Sequence, residues 1–179
     1  KGDMLRIDWG YAYLAAPSDA RTRLTGDGAL SINLGQVGAE KATCHAMLAY
    51  DDLYSIRYFD STLRPYWRRN GWDASDLLKA AERDYDVLAK RCATFDEDVM
   101  ADLTKAGGAK YAALCALAYR QTLAGNKVAV DANGMPLLFP KENNSNGCIS
   151  TVDVMFPQAP FFLVFSPALT KAMLVPILD

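Results

Sequence analysis

Pro65-Tyr66-Trp67-Arg68-Arg69-Asn70-Gly71-Trp72-Asp73-Ala74-Ser75-Asp76 is the stretch on which the reading of this chain turns. Ahead of it the composition is β-branched and aromatic; beyond it Ala, Leu, Asp and Lys dominate. Asp73 offers a capping oxygen and Asp76 an acidic first turn, so a helix opens here. Leu77, Ala81, Tyr85, Leu88 and Cys92 then recur at three and four residues, which predicts one buried stripe. Thr94 is expected to cap a second helix, to about Lys105, with Phe95, Val99 and Leu103 on one face, and Gly107-Gly108 ends it. A third helix is expected over about 109–124. It is apolar nearly all round, so the pattern predicts a central, well-buried position.

Further on, Val128–Val130 and Leu137–Phe139 flank Asp131-Ala132-Asn133-Gly134, the turn chemistry of a small hairpin. Lys141–Thr151 reads as a polar loop. Asp153–Phe165 is apolar and aromatic, with Pro157 and Pro160 expected to interrupt it. Pro167 suits the first turn of a last helix.

Ahead of the junction, Leu5, Ile7, Trp9, Tyr11 and Tyr13 alternate with Arg6, Asp8, Gly10, Ala12 and Leu14, the period of a strand over 5–14. Arg21–Gly28 reads as a loop. Leu30, Ile32 and Leu34 mark a second strand, Ala42–Tyr50 a third and Tyr54–Phe59 a fourth, with Asp51-Asp52 as a turn. Short spacings favour antiparallel pairing with one face buried. The expected class is α+β: an antiparallel β portion followed by helices with a small hairpin.

The chain has 179 residues and is 51% hydrophobic and 22% charged, enough to bury a sizeable core and too apolar for a disordered segment. A net charge of −2 argues against a nucleic-acid partner. No long uncharged apolar window predicts a membrane span. His45 is the only histidine, so a multi-His zinc site is excluded, and neither a metal nor another cofactor is expected. His45 itself reads as a satisfied strand residue. Cys44, Cys92, Cys115 and Cys148 form no CxxC; Cys92 and Cys115 read as buried free thiols, and the set does not fix a redox compartment. The chain opens on Lys1 and closes on an apolar run, which suggests a piece of something longer.

The segment Lys141–Asp153 is where chemistry concentrates: two carboxylates, three amides, three hydroxyls and a thiol between apolar elements. Glu142 and Asp153 could serve as an acid/base pair. Asn143, Asn144 and Asn146 could read a polar substrate, or simply bond their own backbone as turn residues do. Cys148 as a nucleophile needs a base that only His45 could provide, so it reads as a structural thiol. Asp131, Asn133 and Gly134 lack the later ligands of a calcium loop. Trp9, Tyr11, Tyr13, Trp67 and Trp72 suit either a sugar-stacking platform or packing at the junction. Arg64–Arg69 reads as a linker pinned to its neighbour, with arginines stacking and pairing to carboxylates.

Several motifs in order resemble the glutaminase A family: Asp8-Trp9-Gly10-Tyr11-Ala12-Tyr13, Ala49-Tyr50-Asp51-Asp52-Leu53-Tyr54-Ser55-Ile56, Arg64–Arg69, Ala113–Gln121, and Lys141–Gly147 followed by Thr151-Val152-Asp153-Val154. The resemblance runs from about Asp8 to Ile177. Members are large secreted bacterial and fungal proteins, many from gut Bacteroidetes. The resemblance implies a β-sandwich followed by a toroid of six α-hairpins, similar to the six-hairpin glycosidases. Residues 1–62 would hold the last sandwich strands, 63–73 a linker, and 74–179 the first hairpins with a small β-hairpin near 127–139.

The family name implies hydrolysis of L-glutamine to glutamate and ammonia; the six-hairpin likeness implies, as an alternative, a glycan substrate or a non-catalytic module. Glu142 and Asp153 are carried over as catalytic candidates, and Lys141, Asn143 and Asn146 as substrate-binding ones. The expected partners are a small-molecule substrate and the remaining domains of the parent chain. The parent is expected to be secreted or periplasmic, and the piece to be inert alone.

Overall fold

Alternation ahead of the junction does give short antiparallel strands, in a computed structural model that describes residues 10–36, 38–142 and 146–178. β1 (Tyr11–Ala15) pairs with β4 (Met47–Asp51), and β2 (Arg21–Leu24) with β3 (Leu30–Asn33). Leu5, Ile7 and Trp9 of the expected first strand lie outside the described residues.

Two β boundaries differ from the sequence pattern. The first half of Arg21–Gly28 is a strand, not a loop. Every residue of β2 is exposed, so no inward-facing alternation marks it; backbone pairing and a turn at Thr25–Gly28 hold it instead. β4 begins at Met47, not Ala42. Ala42–Cys44 are small and exposed, and His45 leaves the strand path to stack on Tyr85, ring centroids 3.7 Å apart and 14° from parallel.

The junction contributes a strand of its own. β5 (Ile56–Tyr58), β6 (Ser61–Pro65), β7 (Asn126–Val130) and β8 (Pro136–Pro140) form one antiparallel sheet in that order, and a 3-10 turn (Tyr66–Asn70) follows β6. The Asp131–Gly134 turn joins β7 to β8, with Asp131 Oδ1 accepting the Asn133 and Met135 amides at 2.8 and 2.7 Å. Alternation along β8 sends Leu137 and Phe139 into a cluster with Ile56, Leu63 and Ala129, and Leu138 into a second with Met155, Phe162, Ala172 and Met173. Each such large side chain, fully buried, contributes about 2 kcal/mol. The second cluster seats α2 (Val152–Phe165) and α3 (Pro167–Leu178) on the sheet.

The helix α1 (Ala74–Ala124) starts as the cap predicts: Asp73 accepts the Asp76 amide at 3.0 Å and Asp76 accepts the Asp73 amide at 3.1 Å. No new helix starts at Thr94. Nothing around it is Gly or Pro, so the first helix runs on. The break falls at Gly108, whose φ of 82° and ψ of 174° are non-helical. Phe95 and Tyr119 would stand roughly 36 Å apart on a straight helix. Their rings are 5.8 Å apart. α1 is therefore a helical hairpin folded back at Gly108.

Its second arm is not buried as expected: only Ala112 is enclosed, while Leu114 is 65% and Leu117 51% exposed. Cys92 is likewise exposed and Cys115 only half-buried. The four thiols are unpaired with one another. Pro157 and Pro160 do not interrupt α2, which runs through both. Burial of Met155 and Phe162 against the sheet offsets their cost. The fold class is α+β. No helix among the described residues is long and apolar enough to cross a membrane.

Candidate functional site

The polar segment after β8 is held as a closed loop. Lys141 continues the strand, bridging to Ile149, and its amide donates to Gly125 O at 2.9 Å. The Glu142 amide donates to Cys148 O at 3.1 Å and the Ser150 amide to Pro140 O at 2.8 Å. Ile149 packs on the Phe139 cluster, anchoring the return limb. Ser150, at φ 54°, makes the turn into α2.

Lys141 and Glu142 are half-buried at the loop's entry. Asp153 is exposed in the first turn of α2, after Thr151, where its charge complements the helix dipole. Asn146 Oδ1 accepts the Cys148 amide at 2.7 Å, so this asparagine shapes the loop's own backbone. Asn143 and Asn144 lie outside the described residues. Cys148 is exposed, and His45 stacks on α1 instead of joining this loop.

Two polar atoms beside Pro140 add to the site. Asn126, the register partner of Pro140, donates from Nδ2 to Gln158 Oε1 at 2.7 Å, while its Oδ1 is buried without a partner among the described residues. Ser150 Oγ, on the other side of Pro140, is buried in the same condition. Both are the kind of group that an ordered water or a polar ligand satisfies.

A second polar centre lies at the same end of the sheet. Asp51 closes β4 and Asp52 follows it; they are 1% and 4% exposed. The Arg68 guanidinium pairs with Asp51 Oδ2, and its Nη1 donates to Trp72 O at 3.2 Å. Asp51 Oδ1 also accepts the Leu53 amide at 3.0 Å. Burial opposes the Asp51 charge, but the Arg68 and Leu53 hydrogen bonds and the charges of Arg68 and Lys127 outweigh it. The carboxyl is held below its ordinary range. Asp52 accepts Ser55 Oγ at 2.9 Å and pairs with Lys127 Nζ at 2.8 Å. Gly10 at φ 111° lets β1 pass this turn, since a Cβ there would collide with the Asp51 carbonyl. The Arg68 charge also lies 4.6 Å from the Trp67 ring centre.

The sequence reading treats Asp51-Asp52 as a turn and assigns it no chemistry. The sequence does predict junction arginines that stack and pair to carboxylates, as Arg68 does with Trp67 and Asp51, but nothing local names Asp51 as that acid or Lys127 as the partner of Asp52. Among the described residues, no group of three His, Cys, Asp or Glu is placed to hold a metal.

Comparison with known proteins supplies the remaining evidence. The family described as glutaminase A six helical-hairpin domain matches residues 108–179, beginning at the α1 break. A domain of unknown function, DUF5127, matches residues 25–102. A protein named glutaminase A from Aspergillus oryzae is 34% identical over 158 residues, 84% of this chain and 22% of that protein.

The chain belongs to the glutaminase A family.

A probable glutaminase from Arthroderma benhamiae is another relative, 32% identical over 120 residues, 65% of this chain and 14% of its own length. The chain thus spans less than a quarter of the curated glutaminases it matches. No solved structure matches it. Within the glutaminase A frame, Asp51, Asp52 and Arg68 fall in the region of unknown function, whereas Lys127 and the Lys141–Asp153 segment fall in the hairpin region.

Proposed function

We propose that this chain is part of a hydrolase that converts L-glutamine to glutamate and ammonia, with the Lys141–Asp153 segment contributing to its active site. The observation that carries the reading is the 34% identity, over 84% of the chain, to a protein named glutaminase A.

Deamidation requires a water activated to attack the carboxamide carbon, donors for the oxyanion that forms, and a proton for the departing ammonia. Glu142 and Asp153 are the groups we assign to proton transfer. Lys141, Asn143 and Asn146 are assigned to binding the polar ends of the substrate. Secretion of the whole protein belongs to the same reading and rests on the family resemblance alone.

The test is ammonia release from L-glutamine by the full-length protein. Turnover is expected, and Glu142→Gln and Asp153→Asn should each lower kcat by about a hundredfold, the ordinary scale of general acid–base catalysis. Wild-type activity in both variants would sink the site assignment. Reducing-sugar release from a glycan panel, with no ammonia from glutamine, would select the glycoside hydrolase alternative and its two-carboxylate chemistry.

A further inference from the structure

Lys127 lies where two regions of different family assignment meet. It is the second residue of β7, opposite Phe139 in the register, and β8 ends one residue later at Pro140. The candidate loop therefore starts two residues beyond Lys127's partner. Its first amide, that of Lys141, donates to Gly125, two residues before Lys127. The backbone around Lys127 is thus the platform from which Lys141 and Glu142 project.

Lys127 is fixed from outside the hairpin region. Its Nζ meets Asp52, and Asp52 is buried with both carboxylate oxygens engaged, one by Lys127 and one by Ser55. Ser55 is itself anchored, its amide donating to Leu63 O on β6 at 2.8 Å. The neighbouring Asp51–Arg68 pair holds the same turn against the junction. A buried carboxylate with a single cationic partner demands that partner in one place, since losing it leaves an uncompensated charge.

We propose that Asp52 and Lys127 form a positioning pair: the region of unknown function supplies the carboxylate that fixes the base of the candidate active-site loop. Neither residue is a catalytic group. Each acts through the backbone that sets Lys141, Glu142 and Ser150. The role rests on the site assignment made under the proposed function, so its test carries a readout independent of turnover.

That readout is hydrogen exchange at the Lys141, Glu142 and Ser150 amides in the full-length protein. In Lys127→Met these three should exchange about tenfold faster, with α3 amides unchanged, and Lys127→Arg should restore them. Unchanged exchange at the three amides overturns the proposal. So does loss of protection throughout α3, which would mark the pair as a general brace of the fold. Should Lys127→Met fail to fold, Ser55→Ala removes one Asp52 partner more gently and must accelerate the same amides or overturn the proposal. In the same Lys127→Met protein kcat/KM for glutamine should fall, and a wild-type kcat/KM alongside faster exchange also overturns the role. A wild type without glutamine turnover defeats the glutaminase reading and leaves the exchange pattern to decide the pair.

Discussion

Asp51 gives up nearly all its hydration, which by itself favours the neutral acid. The Arg68 guanidinium, the Leu53 amide and the Lys127 charge reverse that preference, and the folded-state pKa lies below its ordinary value. The unfolded chain then binds the proton more tightly than the folded one. The resulting stability is fully present above the unfolded pKa, about 3.9, and is lost as pH falls through the folded value. Asp51→Asn should remove that part of the acid dependence and cost about 3 kcal/mol at pH 7, because Arg68 is left without its buried counter-charge. Urea midpoints of both proteins from pH 3 to pH 7 check this; parallel curves would show that Asp51 contributes none of the acid sensitivity. At this scale the sequence was least legible. Two adjacent aspartates after a strand look like a turn, but Asp51 is the last residue of β4, paired with Tyr11, and the bend falls on Leu53 and Tyr54. The burial of the two aspartates depends on Arg68 from the junction and Lys127 from beyond α1, and no local pattern carries that information. The Glu142 to Asp153 loop was visible because its polarity contrasts with apolar neighbours on both sides.

Among the elements, the helical hairpin shows which local signals survive tertiary packing. Gly107-Gly108 was legible as a stop, whereas Thr94 was misleading: a capping side chain helps a helix begin only where the backbone has already left helical geometry. Gly108 adopts φ 82° and ψ 174°, a region essentially closed to other residues, and no atom lies within 4 Å of where its Cβ would stand. Its requirement is thus purely conformational. In an ordinary helix, Gly→Ala stabilises by about 1 kcal/mol. Here Gly108→Ala should destabilise by about 1–3 kcal/mol, the strain of that backbone region. The sign decides the matter. A raised denaturation midpoint would mean that the arms do not need the reversal, and would detach Phe95 from Tyr119 and Phe165; these rings, with Phe161 against Tyr119, otherwise bind the two arms to α2. The prolines of α2 teach the complementary lesson. Pro157 and Pro160 argue against a helix locally, yet an apolar face that buries Met155 and Phe162 on the sheet outweighs them.

For the whole molecule, the apolar residues that the sequence marks as core divide into two populations. Those on β5–β8 and on the inner faces of α2 and α3 are enclosed. Those on the outer face of α2 and the second arm of α1 are not: Phe156 is 81% exposed, Val152 69%, Leu163 58% and Leu114 65%. Val152, Phe156 and Leu163 recur at helical spacing, so they form one stripe and not scattered exceptions. Periodicity reports that a stripe is apolar. It does not say which part of a protein covers the stripe, and for that reason the expectation of a buried third helix failed. Stripes of this kind on an exposed surface drive association. The 179-residue chain expressed by itself should therefore self-associate, with a light-scattering mass that rises with concentration. Phe156→Asp should weaken that association while shifting the unfolding midpoint little, because the side chain it replaces is already in solvent. A monomer at every concentration would show that the stripe stays solvated without consequence. Association undiminished by Phe156→Asp would instead move the contact away from α2, to the Leu114 and Leu117 face of the hairpin.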